Sequence, residues 1–188
     1  MAGFVLANTS LTSQMSNEGE IRKAIIEADL VDCIITLPDK LFYNATIAPC
    51  LWFISKNKTN NKFRNRKGET LFIDATDLGQ MIDRKHRELS NKDIQNIFIP
   101  YRRWRGETKE EYKDILGYCK SITIEEIRNK NYSLNPSMFV GFQNIIQDEV
   151  THDDKLKRLV IDFSKELTEE KDINKQLRKN FIQFGLDL

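Results

Sequence analysis

Two apolar runs, Val31-Asp-Cys-Ile-Ile-Thr36 and Cys50-Leu-Trp-Phe-Ile54, lie only about a dozen residues apart, with no helical pattern between them. That spacing constrains the chain more than any other feature. Each run has the length of a strand, and the second is continuously apolar, as a strand covered on both faces is. A parallel pair needs a crossover of a dozen or more residues, usually helical, so these two strands are expected to pair antiparallel. Pro38 prevents simple continuation of the first run. The connection carries two adjacent aromatics, Phe42 and Tyr43. Loops at strand ends are where α/β proteins place ligand contacts, and aromatics held there can stack on a nucleobase.

The rest of the chain fits an α/β class. Phe4-Val-Leu6 reads as a buried strand ending in polar Asn8-Thr-Ser10. Asn17 stands at a capping position with Glu20 three residues on. Ile21, Ala24, Ile25 and Ala28 then recur at helical spacing. Strand, helix and Val31–Thr36 form a βαβ unit. Leu71-Phe-Ile-Asp74 is a fourth strand, so the sheet is expected to be mixed, with an antiparallel member near one edge. Ser90 and Asp93 mark a helix start, Ile94, Ile97 and Phe98 continue it, and Pro100 is expected to stop it. Ser121 to Ile124 reads as a further strand, and Asn131-Tyr-Ser-Leu-Asn-Pro136 as a loop. From Asp153 to Phe184, Leu156, Leu159, Phe163, Leu167, Leu177 and Phe181 lie mostly on one stripe, broken around Glu170 to Ile173. This helix either packs on its own domain or awaits a partner helix.

Composition narrows the class of function. A net charge of +1 over 188 residues demands no polyanionic partner, so any nucleic-acid contact must be local. One such patch is the acid-free stretch from Asn57 to Gly68, with Lys58, Lys62, Arg64, Arg66 and Lys67. It is either a solvated loop or a set of phosphate contacts. A second is Tyr101-Arg-Arg-Trp-Arg105, whose Arg102, Arg103 and Arg105 interleave with aromatics. It either grips nucleic acid or packs its rings inward with the arginines reaching out. The three cysteines, Cys33, Cys50 and Cys119, form no disulfide or zinc pattern, and the first two read as core residues in a reducing cytoplasm. His86 and His152 read as surface residues, not metal ligands. No apolar run is long enough to cross a bilayer. Met1-Ala-Gly-Phe-Val-Leu opens directly on an apolar strand, which suggests an internal start.

Taken in order, several of these landmarks resemble the modification (methylase) subunit of type I restriction-modification systems. They are Gly3-Phe-Val-Leu-Ala-Asn8, Gly19-Glu-Ile-Arg22, Leu30-Val-Asp32 and Leu37-Pro38 followed by Leu41-Phe-Tyr-Asn44 and Ile47. Leu71-Phe-Ile-Asp-Ala75, the stretch from Arg87 to Asp93 and Tyr132-Ser-Leu-Asn-Pro136 complete the series. Ala45-Thr46 stands where the family pattern has Thr-Gly, which alters the turn. The resemblance implies a Rossmann-like methyltransferase sheet with a helical C-terminal extension. It also implies methyl transfer from S-adenosylmethionine to adenine N6 in DNA. The Gly-rich cofactor loop and the Asn-Pro-Pro-Phe/Tyr motif of that family are absent from this sequence. The eight glycines show no Gly-x-Gly spacing, and Asn135-Pro136 is followed by Ser-Met.

The chain is therefore expected to be the C-terminal portion of such an enzyme, with no catalytic or cofactor-binding residue of its own and inactive alone. By this likeness residues 1–78 belong to the catalytic domain, 79–150 form an α/β extension, and 151–188 a helix for subunit contact. Because a base inside a duplex must flip out to react, Phe42 is the candidate for stacking on the target adenine and Tyr43 the next. Asn8 and Asn44 are candidates to line the same pocket. Implied partners are double-stranded DNA and the specificity and restriction subunits, in a bacterial or archaeal cytoplasm. An exposed sheet edge also implies self-association of the fragment. The other reading is a non-enzymatic DNA-binding or assembly module.

Overall fold

The computed structural model describes residues 1–59, 62–141, 160–161, 163–168, 170 and 174. The chain divides into two units, Met1–Gln143 and Asn144–Leu188. In the second unit the described residues are helical, and Val160, Ile161, Phe163 and Leu167 are exposed. The remainder of the expected C-terminal helix, including Leu156, Leu159, Leu177 and Phe181, lies outside the described residues, as does His152.

The first unit holds seven described strands and three α-helices. The strands are β1 (Ala2–Ala7), β2 (Val31–Thr36), β3 (Pro49–Ile54), β4 (Glu69–Asp74), β5 (Gln80–Met81), β6 (Arg87–Glu88) and β7 (Cys119–Thr123). The helices are α1 (Glu18–Glu27), α2 (Asn91–Arg105) and α3 (Ile124–Asn129). Five strands form one mixed sheet in the order β1-β3-β2-β4-β7, while β5 and β6 make a separate hairpin. β2 and β3 pair antiparallel, as their short connection requires, and β2 and β4 pair parallel. β1 is not beside β2, because β3 is inserted between them and pairs with both. The strand–helix–strand unit thus spans one intervening strand.

Side chains alternate across this sheet. Ile34, Trp52 and Phe72 join Leu11, Ile26, Ile127, Leu134 and Phe139 on the face covered by α1, α3 and the segment after it. Cys33, Ile35, Leu71 and Ile73 join Tyr101, Trp104 and Cys119 on the face covered by α2. All three cysteines are buried free thiols. Burial raises the thiol pKa of each, as a low-dielectric site does for any anion-forming group. A register shift between Val31 and Cys33 places two β2 residues against one of β3, with Asp32 as the extra residue.

Four local expectations are corrected. β1 is exposed along its whole length, because it is an edge of the described sheet rather than a buried strand. Asn17 adopts a left-handed conformation (φ 65°, ψ 13°) and its side chain makes no capping bond, so no capping box opens α1. The apolar stripe of that helix also faces outward in part, with Ile21 59% exposed and Arg22 and Ile26 buried instead. Arg22 turns inward because its Nε donates to Tyr132 O (2.9 Å) and its Nη1 to Ser13 O (2.7 Å). Finally, α2 runs through Pro100 to Arg105. A mid-helix proline forfeits one backbone bond and strains the turn before it, at about 3 kcal/mol. Burial of Pro100, Tyr101 and Trp104 on the sheet offsets that cost. Gly106 in the left-handed region (φ 73°) ends the helix.

The start of α2 follows expectation. Ser90 Oγ accepts from Asp93 N (3.2 Å) and the Asp93 carboxylate accepts from Ser90 N (2.9 Å), a reciprocal cap. Thr123 and Glu126 form the same device at α3, a short helix between the expected strand at Ser121 to Ile124 and the loop from Asn131.

Candidate functional site

Register defines two ends of the sheet. Ala7 pairs with Pro49, Thr36 with Cys50, and Thr36 with Asp74. The carboxyl ends of β1, β2 and β4 therefore share one edge, here the apical end, and their starts share the basal end. Strands of six residues separate the two by roughly 17–20 Å.

The aromatic pair lies at the apical end, in the loop after β2. Phe42 O accepts from Ala45 N (3.2 Å), so the pair sits at the tip of a tight turn. Phe42 is 48% exposed and Tyr43 84% exposed. The loop is rooted by Leu41, which packs on the α2-side core, and by Leu37 N donating to Pro49 O (3.0 Å). Asn8 lies at the same end, its N–H bonded to Ala48 O (3.1 Å). Its Oδ1 is buried with no partner among the described residues. Asn44 is exposed in the turn itself. Both asparagines thus belong to the apical end, one at the base of the loop and one at its tip.

Beside this loop stands the β5–β6 hairpin, which sequence inspection missed as a site element. Its His86 ring lies 4.6 Å from the Tyr43 ring, centroid to centroid, at 47°. Asp83 Oδ2 holds His86 Nδ1 at 2.6 Å. That imidazole contact holds the Asp83 carboxyl below its usual range. The residues Asp83-Arg84-Lys85-His86 carry no local signal of a turn in contact with Tyr43.

The eight candidate cations gather at the other end. The segment after β3 begins at the basal end, and Arg64 N donates to Arg105 O (2.8 Å), joining it to the end of α2. Lys58 and Arg66 are not surface groups: they are 4% and 1% exposed. Lys58 Nζ donates to Asp29 Oδ1 (2.6 Å), Val31 O (2.7 Å) and Glu69 O (2.8 Å). Arg66 pairs with Asp32 at 3.2 Å and lies over Trp104. The unpaired burial of either charge would be costly, which explains why each has such partners. Arg64 pairs with Glu69 (2.6 Å), Arg102 with Glu107 (3.3 Å), Arg105 with Glu107 (3.1 Å), and Arg103 with Glu110. Tyr101 and Trp104 point inward between these arginines. Lys62 and Lys67 remain exposed. One sequence signal could have located the buried pair: Asp32 interrupts an otherwise apolar strand, and a buried carboxylate needs a cation.

No Gly-rich turn follows β1, β2 or β4. Asp74, at the tip of β4, is taken by Thr36 Oγ1 (3.0 Å) and Thr76 Oγ1 (2.6 Å). No cluster of three metal-ligating side chains occurs among the described residues, and no helix among them is long and apolar enough to cross a membrane.

Known proteins place this geometry. The model of the N-6 DNA Methylase family matches residues 1–148. The chain is 39% identical over 184 residues to the type I restriction enzyme HindI methylase subunit of Haemophilus influenzae, covering 98% of this chain and 40% of that protein. It is 38% identical over 184 residues to the MjaIX methylase subunit of Methanocaldococcus jannaschii, covering 98% of this chain and 32% of that protein. A crystal structure of the type I restriction-modification methyltransferase subunit from Streptococcus thermophilus superposes with a TM-score of 0.59. It is 27% identical and covers 71% of this chain and 25% of that one. The chain thus spans well under half the length of the relatives it matches. With its mixed sheet and its apical loops, it belongs to the N-6 DNA methylase family, among relatives that are type I restriction methylase subunits.

Proposed function

We propose that this chain serves as the C-terminal portion of the methylase subunit of a type I restriction-modification system. In that setting it contributes the base-stacking loop to transfer of a methyl group from S-adenosylmethionine to adenine N6 in DNA. The observation that carries this reading is the exposure of Phe42 and Tyr43 on a rooted turn at the carboxyl ends of the strands. An aromatic displayed there, not buried, is free to receive a flipped base. Stacking of this kind contributes about 1–3 kcal/mol. Phe42 takes the base and Tyr43 flanks it, while Asn8, with its unpartnered Oδ1, faces the same end.

Cofactor binding and the attacking geometry belong, on this reading, to the rest of the subunit. The Gly-rich and Asn-Pro-Pro motifs are absent from this sequence, so on this reading the chain is inactive alone. The surface that receives the rest of the sheet is the exposed edge of β1 together with α1. Phe4, Leu6, Ile21, Ile25, Trp52 and Ile54 line an open apolar groove of about 450 Å3 between them. Unpaired, the same edge favours self-association of the isolated chain. The specificity and restriction subunits are the protein partners, and the specificity subunit selects the DNA sequence.

The test is Phe42→Ala in the intact methylase complex. Methyl transfer is expected to fall by roughly 5- to 150-fold, the range that 1–3 kcal/mol spans, with S-adenosylmethionine binding unchanged. Equal activity of variant and wild type would remove the stacking role. Adding a protein that carries the Gly-rich and Asn-Pro-Pro motifs tests the enzymatic reading as a whole: methylation restored supports it, and none restored favours an assembly module.

A further inference from the structure

The cations that the sequence offers for DNA contact sit at the basal end, each paired or far from the aromatic turn. The apical end has its own. Arg84 and Lys85 form the tip of the β5–β6 hairpin, both exposed, and no described acid pairs with either. Asp83, the nearest acid in sequence, is already engaged: its Oδ1 accepts from Lys85 N (2.6 Å) and His86 N (2.8 Å) and its Oδ2 from the His86 ring. Those bonds close the turn and occupy both carboxylate oxygens.

The hairpin is fixed beside the aromatic loop, not merely near it. Arg87 N donates to Lys40 O (2.9 Å), Arg87 Nη1 to Leu78 O (3.1 Å), and Arg87 pairs with Asp39 (3.6 Å). Leu78 and Leu89 pack on the same core cluster that roots Leu41. Gly79 (φ 79°) makes the tight approach possible, since a Cβ there would meet Glu88 O at 2.7 Å. With His86 against Tyr43, the tip is held within a side chain's reach of the exposed ring.

We propose that the tip of the β5–β6 hairpin is a DNA phosphate contact, with Arg84 and Lys85 clamping the backbone next to the base that the aromatic turn receives. This rests on the reading that the Phe42–Tyr43 turn faces DNA. Extruding one nucleotide distorts the backbone on both sides of it, and cations placed there would bind the displaced phosphates. His86 is the positioning residue that keeps tip and ring together.

The experiment compares Arg84→Ala/Lys85→Ala with Lys67→Ala, an exposed basal cation, in the intact methylase complex. Affinity for a target duplex is measured across salt concentrations, with urea unfolding as a check on folding. Each lost phosphate contact reduces the slope of log K against log salt by about 0.9. The double variant is expected to lose about 1.8 of slope and Lys67→Ala none. An unchanged slope in the double variant overturns the proposal, as does an equal loss for Lys67→Ala, which would signal undirected electrostatics. Fluorescence of 2-aminopurine at the target position, compared between wild type and Phe42→Ala, separates the two readings. A normal signal in Phe42→Ala with a reduced slope in the hairpin variant retires the stacking role and retains the phosphate contact.

Discussion

At the basal end of the sheet, Lys58 and Arg66 are buried against Asp29, Asp32 and Glu69, and the arginines of α2 are matched to Glu107 and Glu110. At the apical end, Arg84, Lys85, Phe42 and Tyr43 are exposed, and Asp39 and Asp83 are turned to holding loops together. Both ends carry cations beside aromatics. At the basal end most of them are taken by acids, whereas at the apical end Arg84 and Lys85 are not, among the described residues. A cluster of basic residues in a sequence therefore reports very little until their partners are known, because acids 30 residues away can convert it into scaffold. On the proposed function, free charge and free ring surface at the carboxyl ends of the strands mark the end that meets the ligand.

The largest expected effect tests whether the basal charges are scaffold. Arg66→Ala leaves Asp32, fully buried, with only the Tyr101 hydroxyl (3.2 Å) to satisfy it. Breaking one partner of a buried pair costs about 3–5 kcal/mol, which urea unfolding of the chain would register. Replacing both members with apolar residues of similar size, as in Arg66→Met/Asp32→Leu, should recover much of that loss. A deficit below about 1 kcal/mol in the single variant, in the range of surface pairs, would break the contrast between the ends.

A smaller effect is expected at the cap of α2, the helix that runs from the apical end to the basal end. Ser90→Ala removes the acceptor for Asp93 N, at about 1 kcal/mol. Ser90→Asp should retain most of it, since an aspartate can cap the same N–H. Equal stability of Ser90→Ala and wild type would show that tertiary packing alone holds the helix, as it holds Pro100 within it.

These elements differ in how far they were legible in the sequence. The strands at 31–36, 50–54 and 71–74 were readable because a buried strand announces itself by an apolar run, and the antiparallel step from β2 to β3 because the short connection has no helical pattern for a crossover. The aromatic turn was readable for the same reason. Three features were hidden because non-local contacts set them. Arg22 faces inward through carbonyls of Ser13 and Tyr132, the second 110 residues away. Pro100 is carried by the packing of Tyr101 and Trp104. The pairing of Lys58 and Arg66 depends on the sheet bringing residues 29 and 32 beside the loop after β3. The hairpin was hidden because its strands are only two residues long, too short for any periodicity.

An exposed pair near the basal end sharpens the distinction between buried and surface charge. Glu27 accepts from Arg128 Nε (2.8 Å) and Nη2 (2.6 Å) and from the Tyr132 hydroxyl (2.8 Å), which lowers its pKa from 4.5 to about 2. A carboxylate whose folded pKa is depressed stabilises the fold above its unfolded pKa and loses that contribution as pH falls through the folded value. The stability difference between wild type and Glu27→Gln should therefore be constant above about pH 4.5 and vanish towards pH 2. It should also shrink in 1 M salt, because surface charges are screened. The Arg66→Ala deficit should hold nearly constant in the same salt. A Glu27→Gln difference that does not change with pH would mean the contacts at α1 and α3 are made by shape, not charge.

The smallest effect on folding is expected where the effect on function is expected to be large. Tyr43 is 84% exposed and touches mainly the His86 ring, so Tyr43→Ala should change unfolding free energy by less than about 0.5 kcal/mol. Arg66→Ala, by contrast, should damage the chain before it reaches any ligand. In the intact methylase complex the order reverses: Tyr43→Ala should weaken retention of the flipped base, read as reduced methyl transfer with unchanged cofactor affinity. If Tyr43→Ala destabilised the chain by 2 kcal/mol or more, the ring would be a structural brace for the hairpin. Phe42 alone would then be left to face the base. A variant neutral in stability and impaired in methyl transfer is the pairing that a folding role cannot produce. It would show that the apical end keeps its aromatics exposed for a ligand and not for the fold.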